Sequence, residues 1–243
     1  MTPVAGGLGF ALGLVGGSFV GALVTRWPAG GGVSRGRSHC DGCGRTLGPA
    51  ELVPILSYLL LRGRCRDCGH AIAPDHLWAE LGGGLVGLAS ALVADGLAQA
   101  LASGLLGGFL LALALLDLRH FWLPDRLTLP LLGAGLLVSI APWGPSFGEA
   151  LATAAVAFAL FEGLRRGFRA SRGREGLGGG DSKLAAGLGA WLGAVPLSHT
   201  VLTASLLGLF WAVIRGRKRC AEPLPLGTLL ALAAWPVWLM NSG

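Results

Sequence analysis

Long apolar runs alternate with short polar ones along almost the whole chain. The apolar runs cover residues 4–24, 77–94, 97–116, 127–140, 147–164, 184–195, 197–214 and 226–240. A helix crossing a bilayer needs roughly 20 mostly apolar residues, so several runs match a crossing and others are short for one. The pattern predicts an all-α polytopic membrane protein with about eight transmembrane helices. Pro3, Pro130, Pro196 and Pro236 fall at run ends or inside runs, where a missing N–H ends or kinks a helix. A single polar connection is long, from 26 to 76. The expected organisation is a first transmembrane helix over 1–25, a small inserted domain over 26–76, and a seven-helix membrane core over 77–243.

The polar connections fall into two sets. One contains 26–66, Arg119 with Arg126, 165–183 and 215–219; the other contains 95–99, 141–146, Pro196 and the tail after Met240. All 19 Lys and Arg residues lie in or at the edge of the first set. Basic loops resist translocation, so this partition places the first set in the cytosol, with eight crossings and both termini outside. The inserted domain is then cytosolic.

Composition supports a membrane setting. Hydrophobic residues make up 53% and charged residues 13% of the chain, against about 25% charged in a typical soluble domain. The 42 glycines suit helices that approach closely in lipid. No basic segment precedes the first apolar run, so that run reads as a retained helix rather than a cleaved signal. The net charge of +6 carries no nucleic-acid motif and no aromatic residues interleaved with the basic ones, and a nucleic-acid partner is not expected.

Four of the five cysteines sit in the inserted domain, as Cys40-Asp41-Gly42-Cys43-Gly44 and Cys65-Arg66-Asp67-Cys68-Gly69. Two C-x-x-C-G knuckles roughly 20 residues apart match a four-thiolate zinc site. Four protein ligands leave no open position, so the Zn2+ is expected to be structural, folding a segment that has little core of its own. A redox pair or disulfides fit a reducing cytosol less well. His39 and His70 adjoin the knuckles as possible substitutes for a thiolate. Cys220, alone in a basic stretch, reads as a bystander.

Two carboxylates occupy costly ground. Asp117 closes the run Leu-Ala-Leu-Ala-Leu-Leu-Asp, and Asp181 follows Gly178, Gly179 and Gly180 just before another apolar run. The charge partition puts both at the cytosolic face, and a carboxylate beside hydrocarbon is expensive unless paired, hydrated or functional. Two carboxyls brought together in a poorly polar site share one proton, the arrangement of an aspartic-protease dyad. The glycines before Asp181 would permit unwound backbone and the approach of an extended peptide. Plainer roles stay open: Asp125 as the N-cap of the next helix, Asp181 as a cap for its own, and Asp117 as a partner of Arg119.

With these residues in place, the chain resembles the bacterial prepilin peptidases, or type IV leader peptidases, membrane aspartic proteases of the GxGD type. The likeness runs through Gly17-Ser18-Phe19, Arg26 and Pro28, the twin knuckles, Leu52 to Leu59 and Arg62-Gly63-Arg64-Cys65. Its most specific blocks are Asp117 to Thr128 and Glu175 to Leu184, followed by Gly189-Ala190-Trp191-Leu192-Gly193. The resemblance implies catalysis by Asp117 and Asp181 and selects Asp117 over Asp125. It implies prepilin or pseudopilin substrates, with a basic leader, a glycine before the cut and an apolar helix after it. It also implies N-methylation of the new amino terminus with S-adenosylmethionine. The implied location is the bacterial cytoplasmic (inner) membrane, with active site and zinc domain facing the cytosol. Departures are the arginine-rich stretch from Arg165 to Arg174, Gly179 where a larger residue is common, and Pro223-Leu224-Pro225-Leu226-Gly227-Thr228, which follows the family's P-F-G-P only in part. An ion-coupled transporter using the same aspartates and a non-catalytic secretion-system scaffold are the alternatives.

Overall fold

A computed structural model describes residues 3–32, 38–173, 176–215 and 224–242; Arg174, Glu175, Cys220 and Pro223 lie outside the described residues. The described chain is helical throughout. Its elements are α1 (Pro3–Arg26), a 3-10 turn (Pro49–Leu52), α2 (Leu56–Leu60), α3 (Pro74–Val93), α4 (Leu97–His120), α5 (Asp125–Val138), α6 (Phe147–Arg172), α7 (Gly179–Leu192), α8 (Ala194–Arg215) and α9 (Leu226–Asn241). Among the described residues the β-structure consists of two isolated bridges. Helices α1, α3, α4, α6 and α8 are long and apolar enough to cross a membrane. Helices α5 and α7 have 14 residues each and α9 has 16. At 1.5 Å per residue these three reach only about 21–24 Å, short of a hydrocarbon layer of about 30 Å.

The chain divides into two compact units, Met1–Val93 and Ala94–Gly243. The sequence pattern grouped α3 with the later helices, whereas the packing groups it with α1. Glycine is the reason. A side chain at Gly9, Gly13 or Gly17 of α1 would collide with the backbone carbonyls of Gly87, Gly83 or Ala79 of α3. Glycines four residues apart form a smooth stripe along one side of a helix, and two such stripes let backbones touch where lipid offers no hydrophobic drive to associate. At the end of the stripe a β-carbon on Gly21 would lie 2.8 Å from His76 Nδ1.

The second unit is organised around α7. Asp181, Ser182 and every residue from Leu184 to Leu192 are buried, and α5, α6, α8 and α9 all pack against this helix. Enclosed by protein, a 14-residue helix has no need to match the bilayer. Trp191 is its anchor: fully buried, it donates its indole N–H to the Leu131 carbonyl of α5 at 2.9 Å. Gly135 of α5 clears the space, since a β-carbon there would meet Trp191 at 2.6 Å. Trp238 of α9 meets the same ring edge to face with centroids 5.4 Å apart.

Two helix boundaries differ from the sequence expectation. Pro196 was expected to separate two runs, yet it lies in the first turn of α8, where its missing N–H would have had no helical partner. The break falls at Gly193, whose φ of +73° favours glycine. Asp125 was expected to cap α5, but the extended residue before that helix is Pro124, and Asp125 is its first helical residue.

Candidate active site

Asp181 stands in the first turn of α7. Its carboxylate accepts the Gly178 N–H at 2.9 Å, closing the start of its own helix. This bond corrects the expectation of unwound backbone: Gly179 and Gly180 are helical, because the helix begins as soon as Asp181 can cap it. The three glycines have separate uses. A β-carbon on Gly178 would press on the Asp181 carboxylate, and one on Gly180 would meet Leu123 Cβ at 2.6 Å and its carbonyl oxygen at 2.9 Å. The space beside Gly179 is open.

Asp117 lies one turn from the end of α4 and is buried. One of its oxygens accepts the Thr228 N–H at 2.8 Å and sits 3.2 Å from the Thr228 hydroxyl. Thr228 is in the first turn of α9, where backbone N–H groups have no helical acceptor. Asp117 therefore caps a neighbouring helix while Asp181 caps its own. Leu123, in the connection between α4 and α5, joins the two places. It abuts Gly180 beside Asp181, and a β-carbon on Gly227 would meet Leu123 Cδ1 at 2.8 Å and Asp117 Oδ2 at 3.1 Å. The carboxyls are close enough for the charge of Asp117 to act on Asp181. Both are largely withdrawn from solvent, at 5% and 7% exposure.

Around this pair runs a polar margin. Lys183 Nζ binds Asp125 Oδ1 at 2.5 Å, tying α7 to α5. Next to Asp181, the fully buried Ser182 donates to Glu162 of α6 at 3.3 Å, and Glu162 also holds Arg165 and Arg166.

In the first unit the knuckles repeat one geometry. The Cys40 N–H donates to Arg45 O and the Cys65 N–H to His70 O, each at 2.8 Å; the Gly44 N–H returns to Cys40 O at 2.8 Å and the Gly69 N–H to Cys65 O at 3.0 Å. Gly44 and Gly69 hold φ of +70° and +69°, the left-handed backbone such turns require. The Sγ atoms of Cys40, Cys43, Cys65 and Cys68 all lie within 4.8 Å of one another. A tetrahedral zinc with bonds of about 2.3 Å places its sulfurs about 3.8 Å apart, and Cys40 and Cys68 are 3.7 Å apart. The donor set fits a metal ion. Backbone N–H groups of Cys68 and Asp67 lower the Cys65 thiol to about 6. Cys68 goes the other way: it accepts from the His70 N–H, yet burial and the neighbouring sulfurs push it up to about 12. Four thiolates crowded together repel one another, and a divalent cation removes that conflict. Arg45 braces the cluster, pairing with Glu51 and, at 2.8 Å, with Asp67 of the second knuckle.

Known proteins match both units. Residues 104–213 fit the type IV leader peptidase family, and residues 11–94 fit the bacterial peptidase A24 N-terminal domain. A prepilin leader peptidase/N-methyltransferase of Aeromonas hydrophila is 40% identical over 206 residues, covering 82% of this chain and 70% of the relative. The chain belongs to the type IV leader peptidase family. The protein of the same name from Burkholderia pseudomallei (strain 1026b) is 41% identical, over 80% of this chain and 64% of its own length. The type 4 prepilin-like proteins leader peptide-processing enzyme of Escherichia coli O78:H11 is 39% identical, over 81% and 72%. The chain thus aligns with about two thirds of the length of these relatives. No solved structure matches it.

Within this leader peptidase family member, Asp117 and Asp181 fall inside the matched peptidase segment, and the four cysteines fall inside the N-terminal one. Leu123 and Thr228 fall inside stretches that the sequence singled out by resemblance, but neither had a role there. Leu123 is one apolar residue among many, and Thr228 comes to Asp117 from a helix start more than a hundred positions away. A Thr in the first turn after Pro225 was the only local sign.

Proposed function

We propose that this chain is a membrane aspartic endopeptidase that removes the leader from type IV prepilins or type II secretion pseudopilins, with Asp117 and Asp181 as its dyad. The observation that supports the reading is a pair of buried carboxyls, on α4 and α7, whose surroundings share Leu123 as a neighbour. In the reaction one aspartate is ionised and the other neutral. The ionised one takes a proton from water as the water oxygen bonds to the scissile carbonyl carbon, and the neutral one gives its proton to the carbonyl oxygen. The tetrahedral intermediate then breaks its C–N bond: the departing amine takes up the proton that came from water, and one hydroxyl of the intermediate returns its proton to the aspartate that had given it, leaving a carboxylic acid and the dyad as it began. The space beside Gly179, at the start of α7, is open on the side where a side chain would stand.

The dyad end of the second unit also carries Arg119, Arg126, Arg165, Arg166, Arg169, Arg172 and Lys183, while the other end carries Asp95 and Glu149. This asymmetry supports a cytosol-facing active site in the inner membrane, where a basic leader remains. Both aspartates lie near helix ends rather than mid-helix, which counts against an ion-coupled transporter. Cys40, Cys43, Cys65 and Cys68 hold Zn2+, which when bound pins two otherwise coreless loops together. N-methylation of the new amino terminus is the second half of the relatives' name and would need S-adenosylmethionine. Among the described residues the Gly178–Gly180 run follows no strand, and it starts a helix closed by Asp181, unlike a dinucleotide-type cradle for that donor.

Purified enzyme incubated with a prepilin peptide and S-adenosylmethionine, read by mass spectrometry, tests the proposal. Leader loss and the gain of one methyl group are separate mass changes. Asp117→Asn and Asp181→Asn should each lower leader removal on the order of a hundred- to ten-thousandfold while the protein still accumulates in membranes. Normal cleavage by either variant rules out the dyad.

A further inference from the structure

The Thr228 hydroxyl has one hydrogen and two oxygens to satisfy. It lies 2.9 Å from the Ala114 carbonyl and 3.2 Å from Asp117 Oδ2, with all three residues buried. A hydroxyl donates once and accepts twice. When Asp117 is ionised, both neighbours are acceptors and only one can receive the hydrogen; the Thr228 N–H, at 2.8 Å, then carries the carboxylate. When Asp117 is neutral with its hydrogen on Oδ2, a complete relay forms. The carboxyl donates to the Thr228 oxygen, and the Thr228 hydroxyl donates to Ala114 O. The backbone N–H serves the charged form and the hydroxyl serves the neutral one.

From this arrangement we propose that Thr228 is a positioning residue of the dyad, holding one oxygen of Asp117 in place through both of its protonation states. The inference rests on the aspartic-peptidase reading, in which the dyad exchanges its proton in every turnover. Among the described residues no other side chain is hydrogen-bonded to the Asp117 carboxyl. Described α9 has no charged side chain. From α5 the charged residues are Asp125 and Arg126, both exposed, and on α4 itself Arg119 and His120 are exposed. Asp181 is the charged group acting across the pair, and it is held separately by Gly178.

Three substitutions separate the parts. Thr228→Val keeps the shape and the N–H but removes the hydroxyl. Thr228→Ser keeps both groups. Thr228→Pro removes the N–H as well, in a first helical turn that tolerates proline. Leader cleavage is measured against pH in detergent or liposomes, with kcat and KM resolved and membrane levels matched. Thr228→Val should lose up to about tenfold in kcat with KM little changed, the upper end of one neutral hydrogen bond, and its pH profile should change shape. Thr228→Pro should lose more, and Thr228→Ser should recover most of the Val loss with the wild-type profile. A Val variant at wild-type rate, or one slowed with an unaltered pH profile, overturns the role of Thr228, as does a folded Ser variant that fails to recover. If Asp117→Asn remains inactive in the same assay, the dyad survives that outcome; if Asp117→Asn cleaves normally, both ideas fall together.

Discussion

The cysteine cluster and the aspartate pair are built in opposite ways. Each knuckle makes its own turn from six consecutive residues, and the second repeats the hydrogen bonds of the first. The two carboxyls arrive on separate helices and are held by N–H groups at two different helix starts. Four thiolates fill a tetrahedral ion and leave nothing for a substrate. Two carboxyls leave room for water and a peptide bond. On the proposed reading, a closed site of local turns serves stability and a site of distant parts serves chemistry. The sharpest test of this contrast removes a thiolate. A bound structural zinc is worth about 10–16 kcal/mol, as much as the stability of a whole domain. Cys40→Ser or Cys65→Ser should therefore unfold the knuckle region, measured as loss of bound zinc and faster proteolysis between α1 and α3. Well-folded purified wild-type protein free of zinc would remove this half of the comparison.

The glycines before Asp181 sharpen the other half. Gly180→Ala would push a β-carbon against Leu123, which also borders Gly227 beside Asp117. A displacement of about 1 Å at a reacting centre costs on the order of a hundredfold, so Gly180→Ala should lower leader cleavage by roughly that much with zinc retained. Gly179→Ala meets no atom within 4 Å and should stay within a few-fold of wild type. Equal losses at both positions would mean that the run acts through its backbone freedom rather than through its contact with Leu123.

The same contrast governs what could be read from the chain. C-x-x-C-G twice over specifies a closed site, because the backbone bonds that shape each knuckle lie within six consecutive residues. Asp117 and Asp181 were visible as costly carboxylates at the ends of apolar runs, but spacing alone could not bring them together. The glycines of α1 showed as a compositional bias; that Gly9, Gly13 and Gly17 face α3 depends on which helix packs there. Pro196 was a misleading boundary, since proline fits a first turn as well as a break, and the positive φ of Gly193 is invisible in a glycine-rich sequence. Thr228 was illegible for a deeper reason. Its value lies in one hydroxyl between a carbonyl and a carboxyl of α4, and a Thr in the turn after Pro225 points to a helix start but to neither of those partners.

Asp125 gives the smallest effect and the finest distinction. It is the third aspartate of this region, in a motif of its own, and would serve as well as Asp117 if sequence position decided the chemistry. The structure gives it a different life: its carboxylate is 55% exposed and bound to Lys183, itself 34% exposed. Ion pairs this open to water contribute about 0–1 kcal/mol, since solvent screens the attraction and ordering two side chains offsets part of it. Asp125→Asn should therefore keep leader cleavage within about fivefold of wild type, the rate equivalent of that range. Lys183→Met should do about the same. The double variant should match either single one, because the second change has no pair left to break. Added salt should shrink the difference between wild type and Asp125→Asn. A loss in Asp125→Asn as deep as that in Asp117→Asn would move the chemistry to the α5 start and leave the buried carboxyl of Asp117 as a helix cap.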